Sequence, residues 1–298
     1  MSREIQKGRE SKMKTKVLIF GASGMLGSSM MRVFAEKPDL EVTGTVRSPS
    51  SRNFENRVNP ARIVDSIDVD DISTVRDVIN RIVPDVVINC VGLVKQLPNA
   101  EDPVDAITLN ALFPHYLARF CSDIDARLIH ISTDCVFTGL KGDYHEDDIP
   151  DAKDFYGRSK LLGEVSYGNA ITLRTSIIGH ELGSKNGLLE WFLAQNAPIK
   201  GFKKAIFSGF PTGELARVVR DVVIPNSRLN GLHHVSTEAI NKFDLLTIIA
   251  NEYGRDILIK PSDSVKIDRS LNSQKFRDLT GYQPPNWEKL VANMKNFG

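Results

Sequence analysis

The chain of 298 residues is marked first by shortages. It has only three cysteines, Cys90, Cys121 and Cys135, and no CxxC pair among them. That excludes a disulfide framework and reads as reduced, unpaired thiols in a cytoplasmic protein. No run of about 18 apolar residues occurs, so no membrane-spanning helix is expected. Charge of one sign is missing too: the net charge is +1, which gives no reason to expect nucleic acid or a membrane surface as partner. The first fourteen residues, MSREIQKGRESKMK, lack the apolar stretch of a secretory signal and read as a flexible extension (1–14) before a fold that begins near Thr15.

What is present is an ordinary globular balance, 41% hydrophobic and 25% charged, enough to bury a substantial core. Short apolar runs alternate with helical patterns. Lys16–Phe20, Glu41–Val46, a piece of Ile63–Val69, Val86–Asn89, Leu128–Ser132 and Ile171–Leu173 read as strands. Between them, helices are expected after Gly24, after an N-cap at Ser73, over about Ala111–Phe120 and over Tyr156–Tyr167. This alternation predicts an α/β fold, a doubly wound Rossmann-type parallel sheet. It spans 15–178. A smaller, mixed C-terminal substrate-binding part covers 179–298 and crosses back to the sheet near 232–250.

Gly21-Ala-Ser-Gly24-Met-Leu-Gly27 follows the first strand and opens the first helix. Gly21 permits the tight turn, Gly24 the approach of a pyrophosphate, and Gly27 the packing of helix on sheet. The backbone at Ser23, Met25 and Leu26 then offers its N–H groups to phosphate. A further absence matters here. NAD-binding folds carry an acid at the end of the second strand, but this chain reads Thr45-Val46-Arg47-Ser48. Arg47 can bind a 2′-phosphate with paired, charge-assisted hydrogen bonds, and Arg52 is near enough to share it, so NADPH is favoured over NADH. Asp68 and Val69 are candidates for the adenine edge. Cys90, Val91 and Gly92 follow the fourth strand at the same rim.

The fifth strand ends in Ser132-Thr133-Asp134, and Tyr156 and Lys160 stand four residues apart at a helix start. Reducing a ketone requires a hydride on carbon and a proton on oxygen. A phenol with pKa near 10 is a poor relay at neutral pH. A neighbouring Lys160 ammonium and the positive nicotinamide ring of the oxidised cofactor are expected to lower that pKa, while Thr133 orients the carbonyl.

These segments, Gly21–Gly27, Asn89–Gly92, Ser132–Thr133 and Tyr156–Lys160, resemble the extended short-chain dehydrogenase/reductases. Within them, ISTDCVFTG (131–139), FYGRSKLLGE (155–164), LRTSIIG (173–179) and FSGFPTGELA (207–216) resemble the dTDP-4-dehydrorhamnose reductases. The resemblance implies Tyr156 as proton donor, Lys160 as its partner and ribose anchor, and Thr133 as the carbonyl-positioning hydroxyl. It implies NADPH-dependent reduction of a 4-keto-6-deoxy sugar on a nucleoside diphosphate, for deoxysugar and polysaccharide biosynthesis. Val94, Asp134, Cys135 and Val136 become the expected substrate contacts. The chain departs from the family pattern at Cys135, Thr138 and Ile177, where tyrosine, aspartate and tryptophan are usual, so the sugar and carrier base stay open.

In the C-terminal part, Lys200 and Lys203 are candidates for a diphosphate, with solvated basic residues as the alternative. Trp191 sits in an apolar helical pattern and reads as core. His233 and His234 have no carboxylate or cysteine at ligand spacing, so no metal site is expected. A homodimer is compatible with the pattern. Two other functions stay open: a nucleotide-sugar epimerase, and a non-catalytic NADP-binding regulatory subunit of a synthetase. A dehydratase is disfavoured because Cys135 replaces the required glutamate.

Overall fold

The computed structural model describes residues 14–48, 62–93, 102–182 and 186–298. The chain runs β1 (Thr15–Phe20), α1 (Met25–Ala35), β2 (Leu40–Thr45), β3 (Arg62–Val64), α2 (Ile72–Ile82), β4 (Val86–Asn89), α3 (Pro103–Ala106), α4 (Phe113–Asp123), β5 (Arg127–Thr133), α5 (Phe155–Leu162) and β6 (Ala170–Thr175). It continues with β7 (Ile177–Ile178), α6 (Leu188–Leu193), β8 (Ile199–Phe207), β9 (Phe210–Pro211), α7 (Thr212–Val218), β10 (Gly231–His234), β11 (Ile240–Asn241), α8 (Lys242–Tyr253), β12 (Ile259–Asp268), α9 (Gln274–Thr280) and α10 (Trp287–Phe297).

Seven of these strands form one parallel sheet in the order β10-β6-β5-β4-β1-β2-β3. Their side chains are apolar on both faces because both faces are covered. On one, α1 and α7 pack over Val17, Ile19, Ile88 and Ile129; on the other, α2 and α4 pack over Leu18, Phe20, Val87 and Leu128. The strand order reverses between β1 and β4, which opens a crevice at their carboxyl ends. A second sheet, β11-β8-β12, packs with α8, α6 and α10 around its own core of Leu189, Phe192, Leu245, Ile249 and Leu290. The edge strand β10 comes from the C-terminal half, so the two halves are woven together rather than strung in series.

Several boundaries differ from the sequence reading. Asp71, not Ser73, caps α2: its carboxylate accepts from the Ser73 backbone N–H at 3.1 Å and hydroxyl at 2.6 Å. The helix expected over Ala111–Phe120 begins at Pro103, capped by Asp102, and passes through a π-helical segment at Ile107–Leu112 before α4. α5 stops at Leu162, not Tyr167, because Gly163 turns the chain out of the helix. Trp191 is 41% exposed, while its neighbours Leu189 and Phe192 take the core.

The end of α5 is tied down by a buried ion pair. Arg174 on β6 donates from Nε and Nη2 to the two carboxylate oxygens of Glu164, each at 2.7 Å, and both side chains are less than a tenth exposed. Ser132 Oγ also donates to Glu164 at 2.7 Å, and Arg174 lies 5.2 Å from the Phe137 ring centroid. Breaking one partner strands a buried charge. Glu164→Gln is therefore expected to cost about 3 kcal/mol in urea-unfolding stability. The paired change Glu164→Leu with Arg174→Met is expected to cost less, and a double variant no more stable than the single one contradicts this reading.

Candidate active site

The glycine turn between β1 and α1 has the geometry of a phosphate cradle. Gly21 sits at φ +82°, and its carbonyl accepts from the Gly24 N–H at 3.0 Å. A Cβ on Gly27 would lie 2.1 Å from the Gly21 carbonyl oxygen, so a side chain there would push α1 off the turn. No side chain caps α1 and no acid occupies its first turn, which leaves its N-terminal N–H groups and dipole open to an anion. Ser23, Met25 and Leu26 all lie in this turn, Leu26 with its side chain buried and only its backbone on offer.

At the next strand end, Thr45 and Val46 are buried and Arg47 is exposed, close enough to Asp70 to act on its carboxyl. No acid stands at the end of β2, as a 2′-phosphate requires. Arg52 lies outside the described residues. Asp68 is exposed and its carboxylate accepts from the Asp70 N–H at 3.1 Å, an ordinary turn, with Val69 half-buried beside it. At the end of β4, Asn89 accepts from the Val91 N–H at 3.0 Å. Burial pushes the Cys90 thiol up to about 12, so it stays a neutral packing group against the Met30 sulfur.

The reactive cluster forms where α5 begins. Asp154 caps the helix by accepting from the Gly157 N–H at 2.8 Å, which sets Tyr156 in the first turn and Lys160 one turn on. A Cβ on Gly157 would lie 2.3 Å from the Cys135 carbonyl oxygen, so the helix start presses directly on the 3₁₀ turn Asp134–Val136 that follows β5. This brings Thr133 close enough to Tyr156 to act on its phenol. Lys160 is 6% exposed, and a Cβ on Gly92 would lie 2.3 Å from its Nζ. Gly92 is therefore glycine because the ammonium occupies that space.

Asn110 was not found from the sequence. It sits in the π-helical segment, fully buried, where its amide oxygen accepts from the Leu93 N–H at 3.0 Å and its amide nitrogen donates to Ser159 Oγ at 3.1 Å. Ser159 in turn donates to the Tyr156 carbonyl at 2.9 Å. Asn110 thus joins the Gly92 rim to α5. The available signal was a buried-polar asparagine in an otherwise apolar helix pattern.

The electrostatics depart from expectation. Lys160 and the oxidised nicotinamide ring together were expected to bring the Tyr156 phenol down. In the unliganded chain, burial raises it, and Cys135, Asp134 and Asp154 raise it further, against a lowering hydrogen bond from Thr133. The phenol stays protonated, which is the form a proton donor needs. Burial lowers the Lys160 ammonium to about 8, opposed by Cys90 and Glu164. No hydrogen bond or ion pair reaches its Nζ among the described residues, and Gly92 lies against it.

Other expected contacts are placed differently. Val136 is fully buried with Phe137, Tyr144 and Leu271 and presents no side chain to a substrate. Val94 lies outside the described residues. Lys200 and Lys203 are exposed on β8, and no hydrogen bond or ion pair joins them to the cluster among the described residues. Asn241, next to Lys242, pairs with Ile206 at the far end of that strand, about 20 Å along from Lys200. The basic groups that reach Asp134 are instead Arg269 and Lys242. Among the described residues no cluster of potential metal ligands occurs, and no helix is long and apolar enough to cross a membrane.

A doubly wound sheet, a glycine turn at its switch point and a Thr–Tyr–Lys cluster over the crevice define an extended short-chain dehydrogenase/reductase. More narrowly, residues 15–296 match the family described as the RmlD substrate binding domain, and the chain belongs to that family. It is similar to methionine adenosyltransferase 2 subunit beta of Xenopus laevis, 31% identical over 259 residues, covering 80% of this chain and 72% of that protein. It is likewise similar to dTDP-4-dehydrorhamnose reductase of Mycolicibacterium smegmatis, 29% identical over 260 residues, covering 84% and 73%. A crystal structure of dTDP-4-dehydrorhamnose reductase from Bacillus anthracis with NADP has the same fold, with a TM-score of 0.77 at 22% identity over 96% and 99% of the two chains.

Burial of the Lys160 ammonium makes stability depend on pH. Its folded-state pKa lies near 8, below the ordinary 10.5, so burying its charge costs stability in full below pH 8. That cost shrinks as pH rises from about 8 to 10.5, where the unfolded lysine still binds its proton and the folded one does not. Lys160→Met should raise stability at pH 7 by on the order of 3 kcal/mol, with the gain shrinking towards pH 10. Calorimetry across that range checks it; a gain independent of pH contradicts it.

Proposed function

We propose that this chain reduces the C4 ketone of a nucleoside-diphosphate 4-keto-6-deoxy sugar with NADPH, in deoxysugar and polysaccharide biosynthesis. The reading is supported by Thr133 acting on Tyr156 at the end of β5 and by Lys160, one helical turn on, packed against Gly92 after β4. The uncapped start of α1 binds the pyrophosphate, and Arg47 takes the 2′-phosphate. Bound NADPH supplies the hydride. Lys160, buried beside Gly92, holds ribose hydroxyls with its free donors. Thr133 fixes the carbonyl oxygen beside the phenol. Tyr156 then donates its proton to that oxygen, a transfer that its protonated resting state prepares. Residues 15–178 serve the cofactor and 179–298 the sugar nucleotide, with β10 returned to the first sheet. Three cysteines outside any disulfide suit a cytoplasmic enzyme. Exposed Leu112 and Leu162 are apolar surface that a homodimer would cover.

The likeness to methionine adenosyltransferase 2 subunit beta supports a second reading, a regulatory subunit that binds the dinucleotide without turnover. Mixing the protein with NADPH and a panel of 4-keto-6-deoxy nucleotide sugars, followed at the nicotinamide absorbance, separates the two. The reductase reading expects steady oxidation with at least one sugar. It also expects Tyr156→Phe to lower kcat by about 100-fold or more while NADPH binds unchanged. No oxidation with any sugar, together with stoichiometric capture by a synthetase, would favour the regulatory subunit.

A further inference from the structure

Arg269 is a cation without a counter-ion, set beside the turn that follows Thr133. It comes directly after β12 and is half-buried. Its Nε donates to the Phe137 carbonyl at 2.8 Å, just past the 3₁₀ turn Asp134–Val136. Its stem lies over Gly139, which sits at φ +84°, and a Cβ there would lie 2.9 Å from Arg269 Cγ. The last glycine of ISTDCVFTG (131–139) thus serves both its backbone angle and the passage of this side chain.

The backbone around Arg269 is fixed as well. The Asp268 N–H donates to the Gly139 carbonyl at 2.8 Å, the Tyr144 N–H to the Ser270 carbonyl at 2.8 Å and the Asn272 N–H to the Tyr144 carbonyl at 2.7 Å. These bonds seam the segment after β12 to the loop after β5. The neighbouring carboxylate is engaged elsewhere: Asp268 Oδ1 accepts from the Ser270 N–H at 3.0 Å and hydroxyl at 2.6 Å. Among the described residues, neither Nη group of Arg269 has a hydrogen bond, and no carboxylate forms an ion pair with it. Every other buried or half-buried arginine there has an Nη group on an oxygen. Arg174, Arg217, Arg220 and Arg277 reach carboxylates, and the rest reach backbone carbonyls. A guanidinium cannot shed its charge, so partial burial without an anion costs free energy that an arriving anion offsets.

We infer that Arg269 binds the diphosphate of the sugar nucleotide through the edge formed by Nη1 and Nη2. The inference rests on the ketone-reduction reading above and deepens it, by assigning the residue that reads the substrate's charge. With Nε anchored, that edge offers parallel N–H groups in the fork that suits two phosphate oxygens. From Thr133 to Phe137 the turn spans about 8 Å at ~2 Å per residue, the same scale as the reach from C4 of a pyranose to a diphosphate on C1. A ketone held at Thr133 therefore leaves its diphosphate near Arg269. Lys200, one of the lysines that the sequence suggested for this task, lies about 20 Å back along β8 from Ile206, the strand partner of Asp268. The C-terminal half then meets the substrate's charge through the segment after β12 rather than through the lysines of β8.

Calorimetry on the NADP-loaded chain tests this without turnover, with dTDP, UDP and GDP as probes, each beside its nucleoside. At least one diphosphate should bind. Arg269→Met should weaken that binding about tenfold or more and leave NADPH affinity unchanged. Arg269→Lys, which keeps the charge and loses the fork, should fall between. In turnover, Arg269→Met should raise KM for the sugar nucleotide by a similar factor, with kcat held within about threefold. Diphosphate affinity that survives Arg269→Met overturns the inference and leaves the reductase reading untouched. Equal loss of diphosphate and NADPH affinity overturns it too, because that marks a loop disturbed by loss of the Phe137 bond.

The unaltered chain gives a second readout. The Arg269 Nε–H resonance, identified by its loss in Arg269→Lys, should shift when the diphosphate is added and stay in place when the nucleoside is. A resonance that a bound diphosphate does not move overturns the inference. If no diphosphate binds the unaltered chain, the inference and the sugar-nucleotide reading fall together. Diphosphate binding that depends on Arg269, with no NADPH oxidation by any sugar, keeps the inference and removes the reductase reading instead.

Discussion

The site depends on placing one ammonium where water does not compensate it. Lys160 lies almost fully buried on α5, in space that Gly92 leaves by having no side chain. Burial makes the charged form costly and lowers its pKa to about 8. That cost is offset by structure around it. Asn110 bridges Leu93 and Ser159, and Glu164 stands one turn beyond, held by Arg174 and Ser132. Without this frame a lysine in that position would turn to solvent. With it, the ammonium stays next to the crevice at the switch point, one helical turn from Tyr156.

The same burial gives the phenol its resting state. A tyrosine near solvent could ionise at moderately alkaline pH; Tyr156 is held protonated by desolvation and neighbouring acids. For an oxidation that would be a hindrance. For the reduction of a ketone it is the required starting point, because the oxygen that receives the proton is far more basic than the phenol. Direction of reaction and sign of the shift agree.

Much of this was legible in the sequence because the signals are local. The glycine turn needs Gly21, Gly24 and Gly27 within one loop, and Tyr156 and Lys160 share a helix face by their spacing. Alternating strands and helices led to the parallel sheet for the same reason. The losses came where tertiary contact decides. Asn110 reaches Gly92 and α5 only because a π-helical segment turns it inward. Arg269 and Lys242 act through space on Asp134 from segments far along the chain, while Lys200 and Lys203, equally basic in sequence, are exposed on β8. Val136 looked like part of the substrate loop but is the plug beneath it. Helix ends were misread at Ser73 and Tyr167 because a cap and a glycine, not the apolar pattern, set them.

The buried ammonium is the claim to test. In protein with ¹³C-labelled lysine side chains, the Lys160 Cε resonance, identified by its loss in Lys160→Met, can be followed against pH in the unliganded chain. The account predicts a midpoint near 8. A midpoint at the ordinary lysine value of 10.5 would mean that the ammonium is solvated, and the site described here would not exist in the free protein.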